Sequence, residues 1–228
     1  MQQIYSQTST GANTRSVEVS KVLRNTYALL AMTLFSSSIA AGISMVMNFG
    51  PGVAIATSLG ALALIWFVLP RTANSAAGIW VVFGFTTLLG LGLGPTLNYY
   101  AGMPGGSAII MQALGGTAFI FLALSGYVLT TGKNFSFLGG FLFVGLLVVI
   151  LASLALFVAS FFGVAISGVS LALSAAIVFL MSGFILYDTS RIIHGGETNY
   201  VLATASMYLS IYNIFVHLLH LISAFSDD

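Results

Sequence analysis

Seven apolar runs follow one another along the chain, at residues 27–49, 53–69, 76–97, 107–131, 135–162, 164–187 and 201–225. A helix that crosses a bilayer needs roughly 20 mostly apolar residues, so each run predicts one crossing. The breaks are short and carry turn residues: Gly50-Pro51-Gly52, Pro70-Arg71 with Asn74, Asn98 through Gly105-Gly106, Gly132-Lys133-Asn134, Gly163, and His194-Gly195-Gly196. No loop is long enough to fold by itself, so a catalytic domain would have to be built inside the membrane. The pattern predicts an all-α membrane protein, a seven-helix bundle over 25–228 preceded by a segment at 1–24. That segment is rich in Ser, Thr, Gln and Asn without a sustained apolar period, and is expected to be a flexible cytoplasmic tail. Its end, 16–24, holds Val17, Glu18, Lys21, Val22, Leu23 and Arg24, which suits either a helix along the membrane surface or a disordered tether.

Composition removes most other classes. Of the 228 residues 58% are hydrophobic and 5% charged, against about 25% charged in a soluble domain. Six basic residues are too few for a nucleic-acid footprint. The absence of cysteine removes disulfides, thiolate nucleophiles and Cys-based zinc sites. A polar start argues against a cleavable signal peptide, leaving the first span as the insertion signal. The cations set an orientation: Arg15, Lys21 and Arg24 precede the first run, Arg71 follows the second, Lys133 the fourth and Arg191 the sixth. All six fall on one side of a seven-crossing bundle, so the positive-inside rule places the amino terminus in the cytoplasm and Asp227-Asp228 outside.

Polar residues within the runs are few. Gly90-x-Gly92-x-Gly94 permits close helix approach and, without a following Lys-Ser/Thr, is no phosphate loop. Ser206, Ser210, Asn213, His217 and His220 recur at steps of four and three, which puts them on one face of the last helix. Facing lipid would leave their hydrogen bonds unmade, so this stripe is expected to pair with other helices or to line a wet cavity. Asp188 closes the sixth run, where an unpaired charge is costly. It can pair with Arg191 one turn on, or turn inward toward Ser206 and Ser210, where its charge would respond to pH. An aspartic protease needs two carboxylates sharing a proton, and no second acid occurs in any run. Neither a Gly-x-Ser-x-Gly elbow nor a His-Glu-x-x-His pair is present. No enzyme activity, cofactor or metal site is expected.

Leu186-Tyr-Asp188-Thr-Ser-Arg-Ile-Ile193, followed by Ser206-Met-Tyr-Leu-Ser-Ile-Tyr-Asn-Ile-Phe215, resembles the closing signature of the Bax inhibitor (transmembrane Bax-inhibitor-motif) family. Lys21-Val-Leu-Arg-Asn-Thr-Tyr27, Ala113-Leu-Gly-Gly-Thr117, Tyr127-Val-Leu-Thr-Thr131, Ser136-Phe-Leu-Gly-Gly140 and Ile193-His-Gly-Gly-Glu-Thr-Asn-Tyr200 are similar to its bacterial YccA-type branch. The resemblance implies a multi-pass protein of the bacterial inner membrane that binds the FtsH protease and its HflK/HflC partners and restrains degradation of other membrane proteins. The tail, with Arg15, Glu18, Lys21 and Arg24, is then the expected partner-binding segment. Other members resemble pH-sensitive calcium leaks gated by two aspartates with a nearby arginine. Asp188 matches the first aspartate and Arg71 the arginine, but Tyr208-Leu-Ser210 stands where those members have Tyr-Leu-Asp. Calcium prefers several hard oxygen ligands, so one aspartate with serines would hold it weakly. The alternative function is therefore a pH-responsive calcium or proton leak with a reduced acidic site, using Asp188, Ser210, Arg71, Arg191, Asn213 and His217.

Overall fold

The computed structural model describes residues 2–163 and 167–226, with side chains from residue 17 onward except that of Ser167. The expected start of the sixth run at 164, the side chain of Arg15 and the Asp227-Asp228 terminus lie outside the described residues. Every regular element described is helical: α1 Gln2–Val46, α2 Pro51–Ala63, a π-helical turn Leu64–Val68, α3 Leu69–Thr72, α4 Ala76–Ala101, α5 Gly106–Thr131, a 3-10 turn Ser136–Leu138, α6 Gly139–Phe161, α7 Ser167–Ile193 and α8 Tyr200–Ser226. With α2, the π turn and α3 counted as one crossing, seven stretches are long and apolar enough to span a bilayer. The protein is an all-α, seven-span membrane protein. No break separates 17–24 from the first span, since α1 runs through both.

Pro70 was expected to mark a boundary and Pro95 to lie within the third run; both lie inside continuous spans. Proline has no amide hydrogen and clashes with the carbonyl four residues back, so a helix that continues must make room. Before Pro70 the room comes from the π turn, where the Leu69 amide reaches back to the Leu64 carbonyl. Pro95 sits within α4, and the Leu91 carbonyl it cannot use accepts the Ser44 hydroxyl of α1 at 2.7 Å. That is how a membrane helix tolerates proline: a neighbour supplies the missing donor.

The glycines before Pro95 let that neighbour in. A Cβ on Gly90 would overlap the Ser37 carbonyl, one on Gly94 the Ser44 side chain, and one on Gly92 would lie 2.8 Å from Thr57 Oγ1 of α2. Gly90 and Gly94, four apart, thus face α1 while Gly92 faces α2. Asn98 of α4 adds a further tie, its Nδ2 donating to the Met45 carbonyl at the end of α1 at 3.1 Å.

Helix α8 is the axis of the bundle, packed by α1, α4, α5 and α7. Met207, Tyr208, Ile214 and Leu219 are fully buried on it. Tyr208 is the largest: its hydroxyl meets Ser37 Oγ at 2.5 Å and donates to the Thr86 carbonyl at 3.2 Å, while its ring meets Phe85 edge-on at 5.7 Å. One side chain so joins α1, α4 and α8. Helix α6 lies outermost against α7 and exposes Phe141, Phe143, Leu147, Leu151 and Phe157, as a lipid-facing helix does.

The connections that carry basic residues meet on one face. Asn199, in the α7–α8 loop, donates through Nδ2 to the Ala73 carbonyl at 3.0 Å and Asn74 Oδ1 at 2.8 Å in the α3–α4 loop. Its Oδ1 accepts the Val201 and Leu202 amides, capping α8. Ser190 near the end of α7 accepts the Phe135 amide of the α5–α6 loop at 2.8 Å. Lys21 of α1 lines a crevice with Glu197 and Thr198 of the α7–α8 loop, so Lys21, Arg71, Lys133 and Arg191 share an end of the bundle, as the charge pattern predicted.

Candidate functional site

The only buried carboxylate within a span among the described residues is Asp188, and α7 carries it more than a turn before its end at Ile193. It is buried, at 6% exposure, beside fully buried Thr189 and Ser190. Ser206 Oγ of α8 donates to Asp188 Oδ2 at 2.5 Å. Of the two orientations open from sequence, the side chain takes the inward one. Arg191 does not pair with it. Its Nη2 instead bonds Glu197 Oε2 at 3.2 Å and the Gly196 carbonyl at 3.0 Å, and its guanidinium lies 5.5 Å from the Tyr187 ring. The reason is the turn at Gly195, whose φ of 72° folds the chain back so that Glu197 meets the arginine at the exposed helix end. Glu197 Oε1 also accepts the Asn199 amide at 2.9 Å, so the ion pair braces the loop that aims α8. Arg71 is exposed and donates to the Phe67 carbonyl of its own span, forming no ion pair among the described residues.

The polar stripe of α8 faces α7 but divides into two clusters. Ser210 donates to the Ser206 carbonyl at 3.3 Å and Asn213 Nδ2 to the Leu209 carbonyl at 2.8 Å, both bonds returning to their own helix. Beyond them His217 and His220 direct Nδ1 to one hydroxyl, that of Ser174 on α7, at 3.0 and 2.9 Å. One hydroxyl has one proton to give, so one imidazole accepts it while the other donates its Nδ1 hydrogen. Eleven residues separate Ser206 from His217, about 16 Å along a helix. The steps of three and four put His217 and His220 on one face, and the structure sets both against α7, whereas Asn213 bonds back to its own helix. Ser174 gave no such signal, because nothing in its own neighbourhood announces two imidazoles from another helix.

Three further polar links surround the motif. Tyr27 of α1 hydrogen-bonds Ser125 of α5, and Thr189 donates to Ser125 Oγ at 3.5 Å, so the hydroxyl next to Asp188 reaches α1 through α5. Thr204 of α8 donates to the Tyr200 carbonyl at 2.7 Å and approaches the Thr26 carbonyl of α1 at 3.3 Å. His194 Nδ1 lies 2.8 Å from the Ser190 carbonyl. Chemically this is a set of hydrogen bonds, most of them between helices, around one buried acid, in which the buried Thr26 hydroxyl is left without a partner.

A family profile described as inhibitor of apoptosis-promoting Bax1, the Bax inhibitor family, matches residues 19–227. The chain is 48% identical over 209 residues to the modulator of FtsH protease YccA of Escherichia coli K12, covering 91% of this chain and 92% of that one. It is 46% identical over 221 residues to an uncharacterized membrane protein of Vibrio cholerae, with 97% of each covered. A Golgi anti-apoptotic protein of vaccinia virus is 34% identical over 174 residues, 75% of this chain and 69% of that one.

Proposed function

The chain belongs to the Bax inhibitor family, and from that premise we propose that it is a non-enzymatic modulator of an FtsH-type membrane protease. It binds the protease, with its HflK/HflC partners, and restrains degradation of other membrane proteins. The observation that carries this reading is the 48% identity, over nearly the whole of both chains, with a protein named for that role. A relative of the same identity is named an inner membrane protein, and the bacterial inner membrane is the proposed location here. The positive-inside rule turns the face bearing Lys21, Arg71, Lys133 and Arg191 to the cytoplasm, where an ATP-driven protease works. The burial of Asp188 among closely packed side chains also favours a scaffold acting by contact over a conduit.

The amino-terminal segment is the proposed handle. Deleting residues 1–19 is expected to lower capture of the chain by FtsH severalfold and to slow its own turnover in cells. Unchanged pull-down together with unchanged half-life would remove this segment from the reading. The competing function is an ion leak, and liposome flux separates the two. Purified protein is expected to give calcium and proton flux at the protein-free background between pH 6 and 8, with Asp188→Asn indistinguishable from wild type. Flux in wild type that Asp188→Asn abolishes would replace modulation by transport.

A further inference from the structure

We propose that His217, His220 and Ser174 form a proton-operated latch between α7 and α8, closed while at most one imidazole is charged and open when both are. The latch lies in the half of the bundle remote from the basic loops. Ser174 is about two turns into α7 from Ser167, and His220 is less than two turns from the end of α8 at Ser226. It is independent of the protease reading, since nothing in it involves a partner.

Proton counting gives the latch its threshold. Both imidazoles direct Nδ1 to the Ser174 hydroxyl, which brings one hydrogen and two lone pairs. With both rings neutral, one accepts that hydrogen on a bare Nδ1, while the other, in the opposite tautomer, donates its Nδ1 hydrogen to Ser174 Oγ. A first added proton enters on Nε2 of the donating ring and disturbs neither bond. A second must enter on the accepting Nδ1, where it displaces the Ser174 hydrogen. Bonds of 2.9 and 3.0 Å to one oxygen also keep the two ring nitrogens within about 6 Å, so the doubly charged cluster sets like charges side by side at a buried serine.

No described anion relieves that pair. Over this half of α8 the packed helices α1, α5 and α7 carry no other acidic or basic side chain among the described residues. Helix α4 contributes Tyr100, packed with Leu219, and α8 itself carries Tyr212; tyrosine stays neutral through the range in which histidine charges. Asp188 lies at the far end of the stripe, bonded to Ser206. Moving α7 off α8 lets water reach each imidazolium separately, so acid favours the open form. Ile177 and Leu180 of α7, packed with Ile214 of α8 nearer the middle of the bundle, form the pivot. Both histidines are half-buried, which gives protons access while the latch is closed.

The test uses the absence of cysteine, which lets nitroxides be placed by Val169→Cys on α7 and Phe225→Cys on α8, both exposed. In the full-length protein in detergent, dipolar broadening between the labels should fall about twofold between about pH 8 and about pH 5, the interval over which imidazole changes charge. Added His217→Gln/His220→Gln, which keeps neutral hydrogen-bonding groups, should hold the broadening constant. His194→Gln, Asp188→Asn and Asp227→Asn/Asp228→Asn should each respond as the labelled parent does. Equal broadening at the two pH values in the parent would overturn the proposal. So would a response that survives His217→Gln/His220→Gln, or one that disappears in any of the other three. A second measurement needs no variant. The chain has three histidines, and nitrogen-15 spectra of the wild-type imidazoles at about pH 8 should show one Nε2–H tautomer and two Nδ1–H tautomers. One of the latter is His194, whose Nδ1 lies 2.8 Å from the Ser190 carbonyl. Any other count would mean that the two rings do not share the Ser174 hydroxyl, and the latch would be lost with it.

Discussion

Gly94→Leu is expected to leave little folded protein. Its side chain would occupy the position of Ser44, which donates to the Leu91 carbonyl that Pro95 leaves without a partner. Overpacking of a tight interface costs about 1–3 kcal/mol, and an orphaned buried carbonyl about 1–3 kcal/mol more, so the loss should be about 4 kcal/mol. In a protein whose whole stability is about 5–15 kcal/mol, that removes most of the margin. Thermal unfolding in detergent, followed by helical circular dichroism, measures it. Gly115→Leu is the control, because a Cβ there meets nothing within 4 Å. A melting temperature for Gly94→Leu equal to that of the control would mean that α1 and α4 do not depend on this approach.

Tyr208→Ala should cost about 3–5 kcal/mol, the range for emptying a large aromatic site in a packed interior. Tyr208 is only 1% exposed and touches three helices, so its cavity cannot close by movement of a loop. Tyr208→Phe isolates the hydroxyl. It keeps the edge-on contact with Phe85 and removes the bonds to Ser37 and Thr86, and it should cost about 1 kcal/mol because interhelical hydrogen bonds in membranes are individually modest. A double-mutant cycle with Ser37→Ala should return a coupling of about 0.5–1.5 kcal/mol. Zero coupling would mean that the Ser37 contact contributes nothing and that the ring alone holds α8 in place. Because Tyr208 stands between Ser206 and Ser210, such a loss would also displace the partner of Asp188.

The same residues show why the candidate site was legible only in part. Asp188 stood out because a carboxylate in an apolar run is costly, and the stripe Ser206, Ser210, Asn213, His217 and His220 stood out because its period is helical. Those are local properties. Arg191 was a reasonable partner for Asp188 at a spacing of three, yet it belongs to Glu197, because the turn at Gly195 returns the chain to the exposed end of α7. Ser174 and Asn199 carried no signal for their roles. Ser174 serves two histidines 43 and 46 positions away, and Asn199 bonds Ala73 and Asn74, 126 and 125 positions away.

By itself, the chain's order of apolar runs determined seven crossings, the shared side of the basic residues and the family signature, because lipid permits little but a self-satisfied helix at each crossing. Tertiary structure alone decided where the spans stop and what each polar side chain meets. Pro70 and Pro95 break no span because a π turn and Ser44 relieve them, and the second of these depends on Gly94 admitting a helix some fifty residues distant. Helical period is written in consecutive residues. A donor that reaches a carbonyl from another helix is set by how the helices pack, and packing is a property of the whole bundle.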